Sequence, residues 1–439
     1  MNLNLPPLEL HEILKKTLEC SNLTHNSMTS SPLPIGLKGN SCFLEAPASS
    51  EQEDLATFLY RLIQLRENKV RVIPFNKNFI KIEDLSSLFP NGFIWENQDN
   101  QANQAKAELV APTIGVVFKD AGFAFFSSGS SGKPKLIFHK EESLIQSAFL
   151  SGELLSLPEK DGRIISSLPL NHVGGFLNIL RSGLFSRSFE LRDAQNLFEN
   201  LNNTDVVVGV PAQIKYLPKI KELTFYAGGD KVTKEQWQKA CDQGINLIAT
   251  YGQTESGGAI LYQLEADGNI QLYKDILIKV SSNGTLSYKT NRLAIGQLSN
   301  GQTSKFNSKE FFETTDLIEL KPNNFIRFLG RKDLNFQCGG EMISPSQIEN
   351  RIIDTLKKLK ISNFVVKVIG IPDERLGKVP VAFFESEDNF DLENIAALLA
   401  PLEQGPAKLR YLSIIPRSTG IKPSQGDYNM AFKQINFPL

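Results

Sequence analysis

The spacing of apolar positions changes character several times along the chain. Residues 52–67, QEDLATFLYRLIQLRE, repeat apolar side chains three and four apart, the spacing of one helix face. VRVIPF follows at 70–75 and reads as a strand. Upstream, SNLTHNSMTSSPLP at 21–34 is polar and turn-rich, which predicts a loop ahead of the first packed element. The rest of the first 60 residues gives no clear assignment. Beyond residue 110, short β-branched runs alternate with helical stretches. RIISSLPL leads to GGFLNILRSGLF, TDVVVGV to PAQIKYLPKI, and LTFYAG to KEQWQKACDQG. Such alternation predicts a layered α/β body.

Between about 260 and 330 the texture turns to short strands. GNIQLYKDILIKVSSNGTLSYKT carries turn signals at Asp267-Gly268 and Asn283-Gly284, which predicts a smaller β-rich layer on the main body. A helix is expected over 345–359, with proline near its start. Two strands, NFVVKVIGI and KVPVAFFES, and a helix, DLENIAALLAPL, follow. The tail therefore reads as a small α+β domain whose boundary lies near Arg331 to Leu334, dividing the chain into 1–332 and 333–439.

Composition narrows the function classes. The chain has 439 residues, 41% of them hydrophobic, enough for two or more cores. Its 47 Lys and Arg offset 48 Asp and Glu, so neither a nucleic-acid surface nor an acidic tail is indicated. No stretch approaches 18 apolar residues, and the start, MNLNLPPLELHEILKK, lacks the apolar centre of a signal peptide. A cytoplasmic protein with no membrane span is the expectation. The cysteines at 20, 42, 241 and 338 stand alone, with no CxxC, so neither a zinc site nor a disulfide framework is expected. No internal repeat is visible, and the oligomeric state stays open.

The clearest candidate chemistry begins at FAFFSSGSSGKPKLIFHK, residues 123–140. An apolar strand stops in small, hydroxylated residues and then lysines. The Walker pattern fails here, because residue 127 is serine where it needs glycine and Pro134 follows Lys133. The physics of anion binding still applies. Gly129 and Gly132 let backbone N–H groups turn toward one centre. Ser127, Ser128, Ser130 and Ser131 add hydroxyl donors, and Lys135 adds charge at the rim. An ordinary solvent loop rich in Ser, Gly and Pro is the plainer alternative.

SSGSSGKPK at 127–135 closely resembles the phosphate loop of the acyl-adenylate-forming superfamily, with serines in place of the usual threonines. Further resemblances follow in the family's order up to residue 422. They are PLNHVGG at 169–175, YAGGDKV at 226–232, YGQTES at 251–256, TTDL at 314–317, GRKD at 330–333, CGGEMISPSQIE at 338–349 and PRSTGIK at 416–422. The resemblance implies the adenylate-forming fold: a large multi-layer N-terminal domain with a β-rich subdomain, and a small mobile C-terminal lid.

It also implies roles. Glu255 would hold Mg²⁺ against the nucleotide phosphates, and Thr254 would offer its hydroxyl to the α-phosphate. Gly228, Gly229 and Asp230 would flank adenine, with Tyr251 and Gly252 beside it. Asp316 would accept the ribose hydroxyls, with Arg331 as a further donor. Lys422 would place its ammonium at the α-phosphate during adenylation, with Lys408 as a weaker rival. His172 would wall the acyl pocket from the thiol channel. Gly339, Gly340 and Glu341 would line the pantetheine path, and Asp333 would be the hinge. His139 and Cys338 are expected to be structural. Each has a plainer alternative: a solvated acid, a core aromatic or a surface cation. The chain departs from the family pattern at Thr315, where glycine is usual, at Leu334 after the hinge, and at Ile421 and Gln425 around the lysine.

The implied reaction is carboxylate attack on ATP to give acyl-AMP, then transfer to CoA. SLPLNHVGG at 167–175 and VVVGVPAQI at 206–214 look most like the o-succinylbenzoate–CoA ligases of menaquinone and phylloquinone synthesis. Another small aryl- or acyl-CoA ligase, a carrier-protein-loading enzyme and a noncatalytic nucleotide-binding scaffold stay open.

Overall fold

The computed structural model describes residues 9–23, 41–47, 52–77, 80, 93–95, 103–104, 118–127, 135–159, 161–266, 268–321, 325–358, 364–386, 410–412 and 428. Among these, strands form sheets of eight, seven, four and five strands. In the first sheet, Ser41–Glu45, Arg71–Phe75 and Phe123–Ser127 run parallel, and Lys135–His139 returns antiparallel. In the second, Ile164–Ser166, Val206–Gly209, Thr224–Ala227 and Asn246–Gln253 run parallel. The third holds Leu277–Val280, Thr285–Lys289, Phe312–Lys321 and Phe325–Arg331. The last is built only from residues beyond 335.

The side-chain period of two explains the layering. Cys42, Leu44, Val72, Phe123 and Phe125 face one core, while Phe43, Ile73, Ala124 and Phe126 face another. Val206 and Val208 point to the same core as the first set, and Val207 points away from it. Helices Leu10–Cys20, Gln52–Glu67, Glu141–Leu154 and Val173–Phe185 contribute to that shared core, between the first two sheets. Strands buried on both faces read as continuous apolar runs, which is why VVV carries no alternation.

The structure corrects two expectations. A packed helix, Leu10–Cys20, lies ahead of the turn-rich stretch, burying Leu10, Ile13, Leu14 and Thr17. Thr17 Oγ1 donates to the Ile179 carbonyl at 2.8 Å, and a Cβ on Gly183 would stand 1.9 Å from the Ile13 oxygen. The two helices touch backbone to backbone because residue 183 has no side chain. PAQIKYLPKI holds only a six-residue 3₁₀ turn, Pro211–Tyr216. Pro211 can start a helical turn, but Pro218 cannot donate into one.

The β-rich stretch serves more than one sheet. Gly258–Gln263 extends the second sheet, and Gly296–Ser299 pairs with Lys135–His139 of the first. The hairpin at Asn283-Gly284 joins strands of the third sheet, with Gly284 at φ +81°. Asp267 and the helix expected at 391–402 lie outside the described residues. The whole is an α/β molecule with a large N-terminal part and a smaller α+β C-terminal part. Among the described residues no helix is long and apolar enough to cross a membrane.

Candidate active site

The carboxyl ends of the parallel strands in the second sheet carry most of the candidate residues, where ligands bind in open α/β sheets. Strand Ile164–Ser166 leads to Pro169–His172, Thr224–Ala227 to Gly228–Asp230, and Asn246–Gln253 ends in Tyr251 and Gly252. Ile164–Ser166 sits between Val206–Gly209 and Phe189–Leu191, so the connection order reverses there. SLPLNHVGG and VVVGVPAQI flank this switch point. Gln213 Nε2 donates across it to Ser167 Oγ at 2.7 Å.

His172 caps the helix Val173–Phe185, and its carbonyl accepts from Phe176 N at 2.9 Å. Burial holds its imidazole below the ordinary range. A Cβ on Gly175 would lie 2.2 Å from the Pro169 carbonyl, so this helix start requires glycine. Gly228 N bonds the Gly209 carbonyl, and Gly229 takes φ +85°, which turns the chain outward toward Asp230.

Tyr251 joins two sheets. Its hydroxyl donates to Asp316 Oδ2 at 2.5 Å, and Gln253 Nε2 donates to the same oxygen. Its ring packs on Phe328 at 4.6 Å. Burial first, then the Asp316 charge, pushes the phenol well above its ordinary pKa, so it stays a donor. Asp316 is 8% exposed and pairs in register with Arg331 across the third sheet. Arg331 turns its guanidinium onto both oxygens of Asp333, at 2.9 and 2.8 Å, and onto Thr315 Oγ1 at 2.9 Å. Thr315, where glycine is usual, thus supplies a ligand for the arginine. Burial opposes the charge of Arg331, but Asp333, Asp316 and Glu255 outweigh it and raise the pKa. Of these acids, Asp333 binds the guanidinium directly, and the charges of Asp316 and Glu255 also act on it.

Thr254 to Gly257 form a turn closed by Gly257 N on the Thr254 carbonyl at 3.0 Å. Ala294 N holds the Glu255 carbonyl at 2.8 Å, and Ile295 N holds that of Phe138 at 2.8 Å. This bridge sets the turn against the strand that leaves the serine-glycine loop. Ser127 and Lys135 stand opposite each other at the mouth of that loop. Ser128, Gly129, Ser130, Ser131 and Gly132 lie outside the described residues, as do Lys408 and Lys422. Under the turn sits His139, fully buried, and a Cβ on Gly257 would be 3.5 Å from its Nδ1. Gly339 and Gly340, at φ +58° and +90°, make the tight hairpin between Cys338 and Glu341, and Cys338 is buried.

Residues 82–280 match the AMP-binding enzyme family. That match covers somewhat under half of the chain. The chain is 26% identical over 294 residues to the 2-succinylbenzoate–CoA ligase of Listeria monocytogenes, covering 62% of this chain and 61% of that one. It is 29% identical over 311 residues to the Escherichia coli enzyme of that name, covering 68% and 66%. The putative long chain fatty acid-CoA ligase VraA of Staphylococcus aureus is 26% identical over 297 residues, covering 62% of each. The matched stretch thus spans less than two thirds of these relatives. Among solved structures, a variant of E. coli MenE with bound OSB-AMS superposes with TM-score 0.71 at 24% identity, covering 97% of this chain and 92% of that one. Bacillus subtilis MenE with ATP and magnesium gives 0.66 at 16%, covering 93% and 90%. These likenesses establish the fold.

Arg181, Gln253 and Arg292 were not picked out by motif. Arg181 is 2% exposed within the helix Val173–Phe185. It donates to Ser151 Oγ at 2.8 Å and Asn178 Oδ1 at 2.5 Å, and it lies over the Tyr226 ring at 5.3 Å. No carboxylate meets it among the described residues. A lone arginine in LNILRSGLF was the available signal. Arg292, 1% exposed, bonds Asp275 twice, Ser147 Oγ and the Ala259 carbonyl.

Proposed function

We propose that this chain is an ATP-dependent acid–CoA ligase that forms acyl-AMP and passes the acyl group to CoA. Its substrate in this reading is o-succinylbenzoate. The observation that carries the adenylating part is Asp316, held by Tyr251 and Gln253 and paired in register with Arg331, which binds Asp333. Both bonds to Asp316 fall on Oδ2, so Oδ1 remains for ribose hydroxyls. Mg²⁺ fits the donor set: one carboxylate at Glu255 and a hydroxyl at Thr254 suit an ion that takes its remaining ligands from phosphate and water. When bound, the ion would offset phosphate charge. Ser127, Lys135 and the serine-glycine loop between them would hold the polyphosphate, and Lys422 would face the α-phosphate. Gly228, Gly229, Asp230, Tyr251 and Gly252 would bound adenine. His172 would wall the acyl pocket. The proposed division into 1–332 and 333–439 makes the C-terminal part a lid that swings at Asp333. Gly339 and Gly340 would then border the pantetheine arm. A cytoplasmic setting, where ATP and CoA are supplied, fits this reading.

Arg181 supports the diacid. A buried guanidinium with only neutral partners is costly to maintain, and a second carboxylate brought against it would offset its charge. Similarity to VraA favours a second reading, a monoacid acyl-CoA ligase, which gives Arg181 no such partner.

The test is a panel of carboxylic acids, including o-succinylbenzoate, assayed for AMP, pyrophosphate and thioester. Arg181→Met should raise KM for o-succinylbenzoate at least tenfold, as expected for a lost charged hydrogen bond of about 1.5–3 kcal/mol. It should leave a monoacid analogue unaffected. No pyrophosphate release with any acid of the panel would point to a noncatalytic scaffold and defeat the proposal. Adenylation without CoA thioester would point to a carrier-protein acceptor.

A further inference from the structure

Arg181 is held by two buried, neutral acceptors. Its Nε donates to Ser151 Oγ at 2.8 Å and its Nη1 to Asn178 Oδ1 at 2.5 Å. Nη2 meets no acceptor among the described residues. Burial lowers the pKa of the guanidinium, and the phenols of Tyr226 and Tyr273, not an acid, oppose that. Asn178 does more than accept. It is wholly buried, one helical turn ahead of Arg181 on Val173–Phe185. Its Nδ2 donates to Ser166 Oγ and to the Gly174 carbonyl, each at 3.2 Å. Ser166 ends the strand Ile164–Ser166, and its Oγ also accepts from Leu168 N at 3.1 Å. A carbonyl can only accept and a guanidinium can only donate, so the amide has one orientation here: nitrogen to Gly174, oxygen to Arg181. One side chain therefore ties the guanidinium to a strand end and to the first turn of the helix that His172 caps. Aspartate has the same shape and would neutralise the buried cation outright. The chain has an amide there instead, and the charge of Arg181 stays uncompensated.

We propose that Asn178 is a positioning residue that sets the preference for a diacid: it fixes the guanidinium of Arg181 and, being neutral, leaves the positive charge for the substrate carboxylate that is not activated. This rests on the o-succinylbenzoate reading, with Arg181 meeting that second carboxylate. In this role Asn178 touches no substrate, and its effect passes wholly through the arginine. The bond at Oδ1 holds one side of the guanidinium and leaves Nη2 for the ligand. The absence of charge on the amide keeps the cation short of a counter-ion, which an incoming carboxylate supplies.

The measurement is KM and kcat of the full chain, at saturating ATP and CoA, for two acids. One is o-succinylbenzoate. The other is 4-oxo-4-phenylbutanoate, the same acid without its ring carboxylate. In the parent the diacid should have the lower KM. Asn178→Asp sets a fixed carboxylate against Arg181, so KM for the diacid should rise about tenfold, which is about 1.4 kcal/mol. KM for the monoacid should hold, as should kcat for either acid. Asn178→Ala removes the anchor without adding charge and should raise KM for the diacid a few-fold, again with the monoacid unmoved. It carries the test if Asn178→Asp does not fold. Both variants give up the bonds to Ser166 and Gly174, so the readout is the ratio of the two KM values within one protein, from which general loosening cancels. An unchanged ratio, or a loss shared by both acids, overturns the inference. Arg181→Met separates the two levels of the argument. If it erases the preference for the diacid while the Asn178 variants keep it, only the Asn178 inference falls. If Arg181→Met keeps the preference, or the parent shows none, the assignment of Arg181 falls and takes Asn178 with it.

Discussion

His139 should make this protein acid-sensitive in a way one substitution removes. The imidazole is fully buried, and neither ring nitrogen has a hydrogen-bond partner among the described residues. Burial pushes its pKa from 6.5 down to about 4, and the nearby Thr254 main chain pulls weakly the other way. Between those two values the unfolded chain holds a proton that the folded chain refuses. Stability contributed by the neutral ring is therefore complete above about pH 6.5 and drains as pH falls toward about 4. Going from pH 8 to pH 5 should cost about 2 kcal/mol at this one site, a large share of a net stability of about 5–15 kcal/mol. The assay is urea unfolding at pH 8 and pH 5, followed by tryptophan fluorescence. Both tryptophans, Trp95 and Trp237, precede residue 332, so the signal reports the larger part of the chain. The pH 8 to pH 5 loss should be about 2 kcal/mol smaller in His139→Leu than in the parent. Any cost of the substitution itself cancels from that difference. So does His172, also held down by burial but present in both proteins. Equal losses in the two proteins, or an imidazole NMR titration of His139 near 6.5, would refute the reasoning.

Four further outcomes are expected. Asp275→Asn should cost about 3–5 kcal/mol in urea unfolding, because Arg292 would be left charged and buried; adding Arg292→Met should recover most of it. Gly183→Val should destabilise by about 1–3 kcal/mol, read from the same midpoints, since its side chain would enter the Ile13 carbonyl. Asp316→Asn should raise KM for ATP on the order of a hundredfold, and Tyr251→Phe only a few-fold, in a pyrophosphate-release assay. An unchanged KM in Asp316→Asn would remove the ribose assignment. Lys422→Ala should slow adenylation by about 10²–10³ while sparing thioester formation from supplied acyl-AMP. Equal loss of both half-reactions would contradict that role.

Local pattern revealed elements, and the motifs singled out Tyr251, Asp316 and Arg331, which the fold brings together. The helix at 52–67 and the strands in VRVIPF and TDVVVGV were legible because each buries a face whose period is written locally. The helix Leu10–Cys20 is equally written in Leu10, Ile13, Leu14 and Thr17, but its one-turn-wide apolar face is interrupted by charged neighbours and runs straight into a polar stretch. The fate of 260–330 was not legible. Leu298 pairs with Leu136 and Thr285 with Leu317, and nothing within a ten-residue window states either choice. In the site, the acids could be named from motifs, whereas their partners could not. Tyr251 reaches Asp316 from another sheet, and Arg331 binds its near neighbour Asp333.

That last contact bears on how a lid could move. The Arg331–Asp333 pair has two hydrogen bonds, yet the arginine side chain is 44% exposed. Such surface pairs are worth only about 0.2–1 kcal/mol. The same arginine is the proposed donor to nucleotide, so binding and hinge compete for one guanidinium. If nucleotide takes Arg331, Asp333 loses its clamp at small cost, and the backbone on either side of it is released to rotate. Gly330 adds a counterweight: at φ +136°, a Cβ there would strike Ser346 Oγ at 2.3 Å, so the helix Pro345–Lys358 rests directly on the strand. Glu349 on that helix feels the like charge of Asp230, with burial the larger influence raising its pKa. A close backbone seat that holds the helix, a weak Arg331–Asp333 ion pair and the like charges of Glu349 and Asp230 are opposing terms of modest size. On the proposed reading, that balance lets nucleotide binding, worth several kcal/mol at micromolar affinity, decide the position of the C-terminal part.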